Sequence, residues 1–395
     1  MSPPRVTTGS DSPVAVEAGA VTVTLHRDLL AAEPAWRELE THGTLFAFQS
    51  LLWMRTWLAH LGAREGVAPL IVTVHAGPRP VMLLPLGLRR RFGLRCLVFL
   101  GGEATDYHAP LLGPGLEEAL GKDGFAGLWS RILAILPPVD LIAFERMPAE
   151  VEGRTNPMAA LPGVQPCGHA YAIRLPASLE DYRRTLRAGF VADTRRKRRR
   201  LAEIGPLRHQ LAGTAAEREA DLDAMILRKR RRFRETGAPD VFTDPAVRGF
   251  YAAMGRQAGG ELQVCASRLL VGDETVAAHW GLTFRGRFYY LLIGWSGGPW
   301  ARYSVGRVMI EELVATAIAE GHAVLDLTVG DEAYKNDWAN ERLRLLALTE
   351  ARSRGGRAWL ALRRAWEGLR ERLKRIGWLR NAVRRLAGRK PLPGR

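Results

Sequence analysis

The sequence predicts an α/β fold in which one unit is built twice. Two stretches carry this reading. Between residues 262 and 350, three runs rich in apolar, β-branched and aromatic residues are separated by the short turns Gly272-Asp273-Glu274 and Arg285-Gly286-Arg287. A Gly/Ser loop, a helix and a short apolar strand follow, so the order is meander, helix, strand. The same order recurs over residues 69–144, with turns at Gly77-Pro78 and Arg91-Phe92-Gly93. The two copies share almost no identity, but matching element order over similar spans is the mark of an internal structural repeat.

Taken in order, residues 1–20 are rich in Pro, Ser, Thr and Ala and read as a disordered lead-in. Residues 21–25 read as a strand, and helices follow at 28–40 and 50–60, the second behind a Phe48-Gln49-Ser50 cap. After the first meander comes a loop with Asp106-Tyr107-His108, a helix over 116–136 and a buried strand over 139–144. Segment 148–169, punctuated by Pro and Gly, reads as a linker between a first unit, 21–147, and a second, 170–350. The second unit opens with a strand at 171–175, a long basic helix running to 204, and helices at 215–236 and 244–259. Its last helix carries Met309, Ile310, Leu313, Val314 and Ala317 on one side, with Glu311, Glu312 and Glu320 outside that stripe. Residues 351–395 form a tail in which Trp359, Leu362, Trp366, Leu369, Leu373, Ile376, Leu379, Val383 and Leu386 recur every three or four positions among Arg and Lys, a basic amphipathic helix.

The net charge of +16 is local. The tail holds 15 Lys/Arg against two Glu, and residues 183–200 hold nine against one Asp, which leaves the rest about −5. That argues against a nucleic-acid-binding body. Three scattered cysteines exclude a disulfide framework or a CxxC metal site and suit a reducing compartment. There is no secretory signal pattern and no membrane-spanning run, so a cytoplasmic protein is expected. The tail qualifies this. Its cations attract anionic lipid at about 1 kcal/mol each near a surface, and Trp359, Trp366 and Trp378 suit the interfacial region. The expectation is peripheral attachment at the inner face of the cytoplasmic membrane.

The run Tyr303-Ser304-Val305-Gly306-Arg307, followed by Asp326, Gly330, Tyr334 and Lys335, resembles the GNAT acyltransferase superfamily. With Phe48-Gln49-Ser50, Trp53, Thr105-Asp106-Tyr107 and the Arg-rich helix near Arg195, it is similar more narrowly to BioF2-like, CelD-type acetyltransferases. Of the usual Gln/Arg-x-x-Gly-x-Gly/Ala loop, Arg302 and Gly306 fit, while Arg307-Val308 stands where small residues are usual. The resemblance implies tandem GNAT-like units, mixed sheets flanked by helices, with acyl-CoA or acetyl-CoA as co-substrate, no metal, and direct attack of an acceptor on the thioester. Backbone N–H groups at a helix start suit a pyrophosphate, so Arg302, Ser304, Val305, Gly306 and Arg307 are the candidate donor-binding residues.

His279, Asp326, Tyr334 and Lys335 are the candidate catalytic groups. A carboxylate within the buried strand at Asp326 must be paired or protonated; it is either a base or the partner of Lys335 or of an Arg in the basic helix. His279 is either a base with an unperturbed pKa near neutrality or a core histidine. Tyr334 would protonate the thiolate and Lys335 would hold an oxyanion or phosphate. Asp106 and Tyr107, in the first copy, would hold the acceptor. Candidate acceptors are an envelope sugar or its lipid-linked precursor, or a long-chain amine of the kind acylated by the bacterial ceramide synthases that resemble this family. FemAB-like aminoacyl transfer and a non-catalytic scaffold for polysaccharide synthesis are the further readings.

Overall fold

The computed structural model describes residues 14–18, 21–121, 124–257 and 260–375. Residues 1–13, 19 and 20 of the expected lead-in and the last part of the tail, including Ile376, Trp378, Leu379, Val383 and Leu386, lie outside the described residues. Residues 14–18, expected to be disordered, instead form a strand that pairs antiparallel with residues 21–25. The first half contains β1 (Val14–Ala18), β2 (Val21–His26), α1 (Leu29–His42), α2 (Leu51–Trp57), β3 (Val67–Ala76), β4 (Arg79–Arg91), β5 (Leu94–Phe99), β6 (Leu111–Leu112), α3 (Leu116–Leu120), α4 (Gly124–Ile135) and β7 (Leu141–Pro148). A small hairpin, β8 (Glu150–Val151) with β9 (Arg154–Thr155), leads to β10 (Gln165–Arg174), α5 (Leu179–Thr185), α6 (Ala188–Ala202), β11 (Leu207–Leu211), α7 (Ala215–Thr236) and α8 (Pro245–Arg256). Then come β12 (Gln263–Val271), β13 (Glu274–Phe284), β14 (Arg287–Trp295), α9 (Val305–Ala319), β15 (Val324–Val329), α10 (Lys335–Trp338), β16 (Glu341–Ala351) and α11 (Arg354–Arg375).

One mixed sheet runs through both halves in the order β1-β2-β3-β4-β5-β7-β16-β10-β15-β14-β13-β12-β11, with β6 on β4. Its two sides repeat each other. β3, β4 and β5 form an antiparallel meander whose last strand runs parallel to β7; β12, β13 and β14 do the same with β15. Each parallel strand is then completed from across the molecule. β10 follows β7 in sequence but pairs with β15, and β16 follows β15 but pairs with β7. The exchanged strands pair with each other at the centre, so neither half closes its sheet alone.

Four local departures from the sequence reading have visible causes. The expected helix over 116–136 breaks after Leu120, where Gly121 takes φ +57°. The basic helix breaks at Leu186, which is extended, so α5 and α6 are separate. The expected linker, 148–169, is structured at its end: Gln165–Ala170 already pair with β16, since the exchanged strand must reach its neighbour there. Glu311, read as outside the apolar stripe of α9, is 3% exposed and ion-paired to Arg183 at 2.9 Å.

Candidate active site

The site lies where β14 and β15 part. They are paired only over Arg287–Tyr289 and Val324–Asp326. A bulge in each strand marks the parting. Opposite β13 the register skips Leu291, between Tyr290 and Leu292. Opposite β10 it skips Leu327, and Thr328 takes φ +58°. Bulges re-aim side chains, and next to an opening they are designed features.

Two cavities flank this parting. The first, about 390 Å³, lies between the start of α9, the loop before it, α7 and α10, with Trp295, Trp300, Trp338 and Phe190 among its walls. The second, about 330 Å³, is lined by Asp106, Arg228, Lys229, Thr328, Glu332 and Lys335. They meet: Arg232, Tyr290, Trp295 and Tyr334 line both.

In the first cavity the start of α9 is open. Ser304 takes φ +49° and makes no side-chain cap. Its Oγ accepts from Lys197 Nζ at 2.6 Å instead, while the amides of Arg307 and Val308 return to its carbonyl. Among the described residues the amides of Val305 and Gly306 have no protein acceptor. A 15-residue helix presents about half a positive charge at this end, and a phosphate is the natural acceptor for such amides. Arg231, Arg232 and Arg307 line the same cavity. A Cβ on Gly306 would stand 3.5 Å from the Trp295 ring, ordinary contact, so a small side chain fits there and a large one does not.

In the second cavity Asp106 arrives from the first half. Burial pushes its carboxyl above the usual range, against a hydrogen bond from Thr328 and the nearby charges of Arg146 and Lys335. Burial likewise raises Tyr334, to about 12, although the Tyr290 hydroxyl donates to its oxygen and stabilises the anion. The Tyr334 phenol therefore stays protonated at neutral pH, with its own hydrogen free to point into the junction.

α7 delivers its cations to this site because it packs directly on β14. A Cβ on Gly294 would stand 2.4 Å from Met225 O and 2.8 Å from Arg228 Cβ, so only glycine permits the approach. Tyr290, Trp295, Arg231, Arg232 and Lys229 were all missed in the sequence. The available signal was the basic run 228–232 on a helix next to a glycine-bearing strand.

Of the candidates, Ser304, Val305, Gly306 and Arg307 lie on the first cavity, Asp106 and Lys335 on the second, and Tyr334 on both. Five expectations are corrected. Arg302 lines neither; it is exposed and lies over the Tyr303 ring at 4.8 Å. His279 is fully buried between Phe288 and Tyr290, and burial lowers it to about 3, so it is a neutral core group. Asp326 is fully enclosed and accepts from Tyr107 Oη at 2.7 Å, Arg287 Nη1 at 3.0 Å and the Thr328 amide at 2.8 Å. Tyr107, also fully buried, is its partner rather than an acceptor contact. Lys335, though on the second cavity, has its ammonium tied to Val329 O at 2.7 Å, Thr328 O at 3.4 Å and Glu332 at 3.1 Å, which leaves no free donor for an oxyanion.

Residues 188–336, from the start of α6 into α10, match the acetyltransferase (GNAT) domain family. The chain carries a GNAT acyltransferase domain. That stretch contains the open start of α9, both bulges and Tyr334, so the match and the geometry coincide. Among solved structures, the chain is similar to FemX, with a TM-score of 0.55 at 10% identity over 80% of this chain and 95% of that one. It is also similar to the C-terminal domain of a putative lysylphosphatidylglycerol synthetase from Agrobacterium fabrum, at 0.49 and 11%, over 84% and 95%. A tandem GNAT protein from the clavulanic acid biosynthesis pathway gives 0.43 and 13%, over 84% and 99%. The likeness to FemX concerns the fold. A search of curated proteins finds no match. GNAT domains use acetyl-CoA or acyl-CoA, and the helix start with two free amides, backed by cations and apolar walls, suits such a donor.

Proposed function

We propose that the GNAT domain seats acyl-CoA with its pyrophosphate at the start of α9 and its thioester beside Tyr334, and that the acceptor enters through the second cavity. The observation that carries this is the shared wall: Tyr290, Trp295, Arg232 and Tyr334 face both cavities. The acceptor nitrogen or hydroxyl oxygen attacks the thioester carbonyl carbon. Asp106, whose raised carboxyl makes it a better base than an ordinary aspartate, takes the acceptor's proton. The new bond to carbon forms, the C–S bond breaks, and Tyr334 protonates the departing sulfur, the Tyr290 hydroxyl donating a hydrogen bond to the phenolate oxygen left behind.

The proposed acceptor class is a cell-envelope sugar or lipid-linked precursor, within the BioF2-like, CelD-type branch, met at an anionic membrane surface. α11 supports this: Leu362, Trp366 and Leu369 are exposed at 70%, 63% and 47% on a helix that also carries Arg363 and Arg364. Among the described residues no helix is long and apolar enough to cross a membrane, and a helix of this pattern lies in the interface instead.

The test is release of free CoA thiol from acetyl-CoA and palmitoyl-CoA with envelope extracts and amine panels as acceptors. Release by the native chain and its loss in Tyr334→Phe support the reading. No release with any acceptor, or equal release by Tyr334→Phe, contradicts it.

A further inference from the structure

Most of the charged groups around the second cavity already have protein partners: Arg232, for one, pairs with Glu235 at 3.7 Å. Lys335 is held by Glu332 and two carbonyls. Arg228 donates to Ser296 Oγ and to the Thr275 and Ala224 carbonyls. Two groups remain. Asp106 has its Thr328 hydrogen bond but no ion-pair partner within 4 Å among the described residues. Lys229 Nζ has neither a hydrogen bond nor an ion pair there, and its nearest aromatic face, Phe233, is 6.0 Å from its centroid.

A half-buried ammonium with no ion pair in direct contact is costly to leave so. Burial accordingly lowers Lys229, while Glu332 and Asp106 act on it from a distance in the other direction. The two leftover charges line one cavity, and that cavity adjoins the wall where the thioester is placed.

We infer that the reacting end of the acceptor, within the envelope class proposed above, is an amine bearing an anionic group beside its nitrogen, a carboxylate or a phosphate, with the amine held at Asp106 and the anion at Lys229. This rests on the donor reading above and names the substrate class for the same site. Lys229 is the specificity-determining residue: an amine of equal size without the anion would leave it unpaired, and sites with a buried polar group left unpaired discriminate strongly.

The experiment uses the full chain and three probes that share an aminoethyl group: O-phosphoethanolamine, β-alanine and ethanolamine. Probe binding is measured by calorimetry with and without CoA, and donor binding separately by the melting shift with acetyl-CoA. The expected result is at least tenfold tighter binding of one or both anionic amines than of ethanolamine. Lys229→Gln abolishes that preference, Lys229→Arg keeps most of it, and both variants keep the acetyl-CoA shift. The arm that binds tighter identifies phosphate or carboxylate. Equal binding of all three probes, no binding of either anionic amine, or an undiminished preference in Lys229→Gln overturns the inference. Loss of the acetyl-CoA shift in the native chain overturns the donor reading instead.

Discussion

Tyr107 Oη donates to Asp326 Oδ1 at 2.7 Å, joining two residues 219 positions apart, one from each half. The other Asp326 oxygen takes Arg287, and Arg287 goes on to Glu152 at 2.7 Å. The same Oδ1 holds the Thr328 amide across the β15 bulge. Asp326 thus ties the halves together and sets the backbone turn that aims Thr328 at Asp106.

Removing the hydroxyl in Tyr107→Phe withdraws one donor from a fully buried carboxylate. A loss of about 1–3 kcal/mol is expected in denaturant unfolding. Asp326→Ala also breaks a buried ion pair and should cost more, about 3–5 kcal/mol. If Asp326→Ala unfolds at the native denaturant midpoint, this account of the junction is wrong.

Tyr334→Phe tests the acid. Losing a positioned proton donor costs roughly 10²–10⁴-fold in turnover. kcat should fall in that range while the acetyl-CoA melting shift stays within error. A fall in donor binding instead would make Tyr334 a wall of the cavity and no more.

Asp106 predicts the acid limb of the pH profile. Its carboxyl sits above the usual range, and a base works only when ionised, so kcat/KM falls as pH drops through that raised value. The limb should therefore lie above the ordinary aspartate pKa of about 3.9. Asp106→Asn should lower the rate and abolish the limb; a limb unchanged in the variant assigns it to another group.

His279 predicts stability rather than activity. Its folded-state pKa of about 3 lies below the unfolded 6.5. Above pH 6.5 the ring is therefore neutral in both states and carries no protonation penalty. Below that, the unfolded state takes up the proton first, and stability falls as pH drops toward 3, by up to about 1.4 kcal/mol per unit. His279→Phe should retain turnover and flatten this part of the acid-denaturation curve. Loss of turnover with a native fold would restore His279 as a catalytic group.

The doubled order of meander, helix and strand was legible because it rests on local periodicity and on turns such as Gly272-Asp273-Glu274. The exchange of β10 and β16 was not, because strand pairing across more than 150 residues leaves no local trace. The same limit explains Asp326. The sequence marks a buried carboxylate in need of a partner, but the partner, Arg287, lies on the adjacent strand β14 instead of at Lys335 or in α6. The open start of α9 was readable from Ser304-Val305-Gly306, since helix starts have sequence signals. Lys229 and Arg232 were hidden because the face of α7 they occupy is fixed by packing against Gly294.

The most direct test of the central claim, a donor site at the start of α9, is the melting temperature with acetyl-CoA, palmitoyl-CoA and free CoA, for the native chain and for Gly306→Trp. A ligand at a hundred times its dissociation constant adds about 2.7 kcal/mol. A clear upward shift with at least one acyl-CoA is predicted, lost in Gly306→Trp because the indole fills the space in front of Trp295. No shift with any of the three, or a shift of the same size in a folded Gly306→Trp, would contradict a donor site at this helix.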